Sequence, residues 1–344
     1  MSQQITIKDL ARILNVSVAT VSRAMRDMPD IHPDTKKAVL DLAEELDYQP
    51  NSIATSLVKS KTKTIGLVVP DLGYYFFSTV MKYIEEAATA KGYSLFITQT
   101  SESYQNEIRN IQNLIRTQVE GIIISLSRET ENFDHLIKLQ KRGLPMVFFD
   151  RDTEEILTSK VLVDNVLASK DATRHLIDNG AKRIAFMAGP RSVNVSNQRV
   201  EGYKLALLEA GMQVEDKLIV YSDYDSESAR KLTKELMAQS NPPDAIVIVS
   251  DRLAIGVAIQ LREMGIQIPD QVMIVSFNNE PICEAFSPSI SSVSQPLEKI
   301  GKLAIDLLIE QIENKEILNQ NRVEILPTEL IIRESSKKGQ KTSK

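Results

Sequence analysis

The sequence predicts an all-α headpiece followed by an α/β core of two doubly wound lobes. Three observations carry that prediction. Residues 1–49 contain no strand-like run and fall into three short helical patterns. From Thr64 onward, short β-branched or apolar runs alternate with longer amphipathic stretches, which is the pattern of βαβ units and a parallel sheet. Eight such runs follow one another, more than one ordinary open sheet holds, so two lobes are expected to share them.

The first helical pattern opens at Thr6-Ile7-Lys8-Asp9, a hydroxyl with an acid three residues on, which resembles a capping box. Ile7, Leu10, Ala11 and Leu14 then recur at helical spacing. Asn15-Val16-Ser17 breaks the helix, and Ser17 is placed to cap a second one from Val18 to Met25. Val16, Val21 and Met25 are expected against the first helix, which leaves Val18, Ala19, Ser22 and Arg23 toward solvent. A second break at Met28-Pro29-Asp30 sets off the third helical stretch. Residues 50–63, PNSIATSLVKSKTK, read by composition as a linker.

The strand-like runs lie at 64–69, 94–98, 121–125, 145–149, 183–187, 218–221, 245–249 and 272–277. They are apolar throughout rather than alternating, as expected of strands covered on both faces. Amphipathic stretches at 78–91, 105–117, 166–179, 199–210, 227–238 and 252–264 supply the covering helices. The polar tail, 334–344, is expected to be disordered.

Composition excludes several functions. One cysteine, Cys283, cannot form an intramolecular disulfide framework, a zinc ribbon or an iron–sulfur site. Three scattered histidines make no metal cluster, so neither cofactor nor metal is expected. No apolar run reaches the ~18 residues of a membrane span, and MSQQITIKDLARIL lacks the pattern of a secretory signal. A cytoplasmic protein with no membrane partner is therefore expected. The net charge of −5 excludes a chain that is basic over its whole surface, though not a local DNA-binding module.

Helix, short turn, helix is the arrangement that reads DNA, with the start of the second helix in the major groove. The residue types fit. Thr6, Ser17, Thr20 and Ser22 are hydroxyl donors suited to phosphate oxygens. Arg23 carries the two-pronged donor that matches guanine O6 and N7, and Val18 and Ala19 offer apolar contact to a thymine methyl. Charge adds little, because residues 1–63 carry nine basic and eight acidic side chains.

Two segments, TIKDLARILNVSVATVSRAM and YQPNSIATSLVKSKTKTIGLVVPD, resemble the N-terminus of the lac-repressor (LacI/GalR) family of bacterial transcription regulators. The resemblance continues through GYSLFITQT, QVEGIIIS, LIDNGAKRIAFMAGP, DRLAIG, IPDQVMIVSFNN and SPSISSVSQP, so it spans about residues 5–333. It implies a helix-turn-helix domain at 1–49, a hinge helix or linker at 50–63 and a periplasmic-binding-protein-like core at 64–333. Lobe 1 would comprise about 64–161 and 293–321, and lobe 2 about 163–289 and 324–333, with crossings near 161–163, 289–293 and 321–324. The resemblance further implies a homodimer on near-palindromic double-stranded operator DNA, with Leu57 of the hinge wedged into the minor groove. It implies a small-molecule effector, a sugar or sugar derivative, between the lobes. The candidate contacts are Phe76, Phe77, Asp150, Arg151, Arg199, Ser250, Asp251 and Asn278. Asn278 stands where many sugar-binding members carry Asp, which makes a neutral or anionic ligand more compatible. Two other readings follow from the core: a catabolite-control branch whose effector is a phosphorylated carrier protein, and a solute-binding protein feeding a transporter. The N-terminal module argues against the second.

No catalytic constellation is present. The chain lacks GxxxxGK[ST], GxSxG, HExxH and a GxGxxG after a strand. A lone Cys283 is expected to be buried and inert. The acids Asp150, Asp152, Glu154 and Glu155 are expected to form a solvated loop.

Overall fold

The computed structural model describes residues 5–48, 62–318, 320 and 322–337. The chain forms two compact units that divide between Thr62 and Lys63.

The first unit contains α1 (Ile7–Ile13), α2 (Val18–Met25) and α3 (Pro33–Glu45). Thr6 donates from both its backbone N–H and its hydroxyl to the Asp9 carboxylate, at 3.0 and 2.7 Å, fixing the start of α1. The Ser17 hydroxyl accepts from the Thr20 backbone N–H at 3.0 Å and caps α2. Asn15, between them, is in the left-handed region at φ 52°. Leu10, Ala11, Val21, Ala24, Val39 and Ala43 form a small core, with Val16 and Met25 packed against it. The linker residues Thr55, Leu57 and Val58 lie outside the described residues.

The second unit holds two six-stranded sheets. Sheet 1 contains β1 (Thr64–Val69), β2 (Ser94–Gln99), β3 (Gly121–Ile124), β4 (Met146–Phe149), β5 (Ser159–Val163) and β11 (Val323–Leu326), in the order β11-β5-β4-β3-β1-β2. Every pair in it is parallel. Sheet 2 contains β6 (Ile184–Ala188), β7 (Ile219–Tyr221), β8 (Ala245–Ile248), β9 (Met273–Phe277), β10 (Ser291–Ser294) and β12 (Glu329–Ile331), in the order β12-β10-β9-β8-β6-β7. Only the β10–β12 pair is antiparallel. Lobe 1 carries α4 (Tyr75–Ala90), α5 (Tyr104–Arg116), α6 (Asp134–Lys141) and α12 (Leu297–Glu313). Lobe 2 carries α7 (Asn165–Asp178), α8 (Asn194–Glu209), α9 (Ser226–Met237), α10 (Asp251–Glu263) and the short α11 (Pro281–Ala285). At the α7–α8 contact, a Cβ on Gly202 would lie 2.1 Å from the Val166 carbonyl oxygen, so only glycine lets the backbones approach so closely.

The chain crosses between the lobes at residue 164, at 295–296 and at 327–328. Each crossing lies a few residues beyond the place expected from sequence. The short runs SKVLV and SSVS do not end a lobe but complete its sheet as β5 and β10, and β11 belongs to lobe 1 rather than lobe 2. β2 also differs from expectation. It is the edge strand of sheet 1, so Phe96 and Ile97 stay exposed in the monomer instead of being covered on both faces. The first residues of the expected tail are ordered. Glu334–Ser336 form a 3₁₀ turn, and Ser335, fully buried, donates to the Ile274 carbonyl at 2.8 Å and accepts from the Ser291 N–H.

Candidate functional site

In an open α/β sheet, side chains converge at the carboxyl ends of the strands, where neighbouring crossovers leave in opposite directions. Both sheets here turn those ends toward one cavity between the lobes. Its volume is about 60 Å³. Phe76 and Phe77 follow β1, Asp150 and Arg151 follow β4, and Arg199 projects from the helix after β6. Ser250 follows β8 and Asn278 follows β9. All seven line the cavity, so the structure gathers residues that the sequence placed as far as 202 positions apart.

The eighth expected contact, Asp251, is not in the wall. It is the first residue of α10, not its cap, and is fully buried. Its carboxylate accepts from the Ser276 hydroxyl, from the Ser292 hydroxyl at 2.7 Å and from the Glu280 N–H at 2.7 Å. It ties α10 to β9 and β10, and Ser250 is the residue that lines the cavity.

The two walls differ in what they leave open. On lobe 1, Arg151 is held by a fork: Nη1 and Nη2 donate to the two oxygens of Glu102 at 2.8 and 3.0 Å, and Nη1 reaches the Leu126 carbonyl at 3.3 Å. Burial opposes its charge, but the Glu102 carboxylate raises the Arg151 pKa above its ordinary value. Asp150 sits in the left-handed region at φ 60°, and its carboxylate, 11% exposed, accepts no hydrogen bond from the described residues. Its nearest cation is Arg151 Nε at 3.8 Å, and burial pushes its pKa up. The acidic cluster is thus a solvated loop only in its second half. Asp152 pairs at 2.7 Å with Lys160, whose side chain is 2% exposed, whereas Glu154 and Glu155 are exposed.

On lobe 2, Arg199 Nε donates to Asn165 at 2.9 Å and Nη1 to the Val249 carbonyl at 2.7 Å, with the guanidinium stacked 4.2 Å above the Phe277 ring. No carboxylate among the described residues pairs with it, and burial lowers its pKa. The Ser250 hydroxyl is buried without a hydrogen-bond partner. Asn278 accepts from Gln295 at 2.8 Å, leaving its amide hydrogens available.

Several wall residues were missed in the sequence: Tyr74, Tyr224, Arg252, Glu280 and Gln295 among them. Tyr74 and Tyr224 meet across the cleft edge to face at 6.4 Å, and Arg252 lies 5.2 Å from the Tyr74 ring centroid. Tyr224 packs on Gly189, where a Cβ would come within 2.3 Å of the ring. The Gly after β6 was visible in sequence, but its ring partner was not. Asn194 at the start of α8 donates to Asp152 at 2.9 Å, a hydrogen bond between the lobes. Burial, with Asp251 nearby, pushes Glu280 up to about 7. Phe76 and Phe77 both line the cavity and belong to the lobe 1 core. Cys283 is fully buried, and burial raises its thiol pKa, which disfavours the nucleophilic thiolate.

The headpiece presents Thr6, Ser17, Val18, Ala19 and Arg23 on its surface, with Thr20 and Ser22 half-buried. Several are engaged internally: Ser17 and Thr20 share a hydrogen bond of 2.8 Å, Arg26 donates to the Ser22 hydroxyl at 3.0 Å, and Arg23 pairs with Asp30. Among the described residues no helix is long and apolar enough to cross a membrane, and no cluster of three metal-ligating side chains occurs.

Two family models match the chain. "Bacterial regulatory proteins, lacI family" covers residues 6–51, and "Periplasmic binding proteins and sugar binding domain of LacI family" covers 62–334. The catabolite control protein A of Priestia megaterium is 34% identical over 97% of this chain and 99% of its own length. A solved transcriptional regulator, CelR in complex with cellobiose, matches with a TM-score of 0.74 at 28% identity over 96% of this chain and 99% of that one. The lac repressor dimer bound to operator and an anti-inducer matches with a TM-score of 0.88 over 98% and 100%, a likeness of fold at 20% identity.

Proposed function

This chain belongs to the LacI family of DNA-binding transcriptional regulators, and from that premise we propose that its operator affinity is set by a sugar-like effector bound in the cavity between its lobes. The observation that carries the proposal is the unpaired chemistry of that cavity. The buried Ser250 hydroxyl has no hydrogen-bond partner, the Asp150 carboxylate accepts no hydrogen bond from the described residues, and the Arg199 guanidinium, though it donates to Asn165 and Val249, has no carboxylate partner among the described residues. Buried polar groups ordinarily have partners, so groups left open at the ends of the strands await one. The aromatic wall of Phe76, Phe77, Tyr74 and Tyr224 suits the C–H face of a ring. A cellobiose complex of a similar regulator supports the same class.

On this reading α2 enters the major groove, with Val18 and Ala19 against bases, Arg23 on a guanine and Thr6, Ser17, Thr20 and Ser22 on phosphates. Arg23 exchanges Asp30 for the base as it docks. Leu57 wedges into the minor groove between the two half-sites of a homodimer. The protein works in the cytoplasm and performs no catalysis of its own. Because effector and operator favour different arrangements of the same lobes, each alters the affinity of the other equally.

Two measurements test this. Selection from a random DNA pool is expected to return a near-palindrome, with Arg23→Ala relaxing one position in each half. Thermal unfolding with neutral sugars, sugar phosphates and purines is expected to show a shift with a sugar that Arg199→Ala removes. A shift that survives Arg199→Ala would place the effector elsewhere.

A further inference from the structure

Glu102 does not line the cavity, yet it controls what the cavity presents. It follows Ser101 at the end of β2, and both are left-handed, at φ 53° and 62°. Two successive L-residues in that region cost energy that the surroundings must offset. Here the bend delivers the Glu102 carboxylate to the back of Arg151, where both oxygens are used in the fork. One of those oxygens also accepts from the Arg128 N–H at 2.9 Å. Both side chains of the pair are 10% exposed.

The consequence is a charge count. Arg151, Arg199 and Arg252 line the cavity against Asp150 and Glu280. That wall alone carries at least one excess positive charge, more wherever Glu280 holds its proton, and would suit an anion. Glu102 behind it cancels the charge of Arg151, which its two oxygens hold. Hydrogen-bond polarity points the same way. The Asp150 carboxylate only accepts, whereas the Arg199 guanidinium only donates. A hydroxyl does both, so adjacent hydroxyls on a ring can donate to Asp150 and accept from Arg199. A phosphate or carboxylate cannot donate to Asp150 and would face its charge.

We propose that Glu102 is a positioning residue that sets the charge class of the effector: by holding and neutralising Arg151 it restricts the cleft to uncharged polyhydroxyl rings and turns away sugar phosphates and sugar acids. The inference rests on the cleft being the effector site.

The test uses the full chain and reads affinities by calorimetry or thermal shift. The probes are glucose, galactose, ribose and cellobiose against glucose 6-phosphate, ribose 5-phosphate and glucuronate. In the wild type a neutral sugar is expected to bind at least tenfold more tightly than its anionic counterpart. Glu102→Gln frees Arg151 and is expected to move that ratio at least tenfold toward the anion. Glu102→Asp keeps the charge and the wild-type order. The double variant Glu102→Gln/Arg151→Gln restores rejection of anions, which separates charge from a mere loss of packing. An anion preferred by the wild type, or an unchanged ratio in a folded Glu102→Gln protein, overturns the assignment of Glu102 while leaving the cleft as the site. No shift with any probe, or a sugar shift untouched by Arg199→Ala, overturns the cleft reading and this inference together.

Discussion

The headpiece and the cleft each hold an arginine against a carboxylate, and the two pairs mean different things. Arg23–Asp30 lies at the surface of the headpiece, with both side chains 47% exposed. Such a pair is worth little in water, so Arg23 can exchange its partner for a DNA base at small cost. Arg151–Glu102 lies in the cleft at 10% exposure, in a fork of two short bonds. Breaking it leaves a buried charge without a partner, so the pair is part of the architecture. The headpiece keeps its reading groups exchangeable. The core fixes some of its charged groups against opposite charges and leaves others, Arg199 foremost, without a carboxylate partner among the described residues.

The comparison breaks most readily at the buried pairs. Lys160→Met leaves Asp152 buried without its cation and is expected to cost ~3–5 kcal/mol of stability. Urea denaturation measures it, and a loss below 1 kcal/mol would mean that the interior there is wet and the contrast overstated. Next comes Arg199→Ala. Losing a charge-assisted bond of ~1.5–3 kcal/mol is expected to weaken the effector by roughly ten- to a hundredfold, with operator affinity in its absence unchanged.

A smaller effect is pH dependence. Glu280 is pushed up to about 7, above its ordinary value of 4.5. A carboxyl raised on folding holds its proton longer in the native state. Native stability from this group is therefore greatest below 4.5, falls as pH rises from 4.5 to 7, and is flat above that. Melting temperature across pH 4.5–8 is expected to lose this slope in Glu280→Gln; an identical slope would assign it to another group. The smallest effect belongs to the surface. Asp30→Asn frees Arg23 and is expected to tighten DNA binding by no more than about fivefold, read by fluorescence anisotropy.

Much of this was legible in the chain because it depends on local pattern. The α1-turn-α2 headpiece follows from caps and spacing within twenty residues, and Thr6, Asp9 and Ser17 do what their positions suggest. The apolar runs mark the interior strands, where both faces are covered. The pattern failed where tertiary position decides. β2 reads like its neighbours yet is an edge strand, and β5 and β10, SKVLV and SSVS, carry too many polar residues to stand out from a crossing. In the cleft, residues immediately after strands do line the cavity, since the strand ends face it. Of the neighbouring candidates Ser250 and Asp251 only the first lines the cavity, because the Asp251 carboxylate turns toward β9 and β10. Glu102 carried no signal, since its partner is 49 residues away and the left-handed bend that aims it is invisible in a Ser-Glu pair.

The most direct test of the account is operator binding by the full chain, with and without a neutral sugar that stabilises it. The operator comes from random-pool selection, and fluorescence anisotropy reads the affinity. The account predicts at least a fivefold change in operator affinity with the sugar, absent in Arg199→Ala, and an equal change in sugar affinity with operator. Operator affinity indifferent to a sugar bound in the cleft would contradict it.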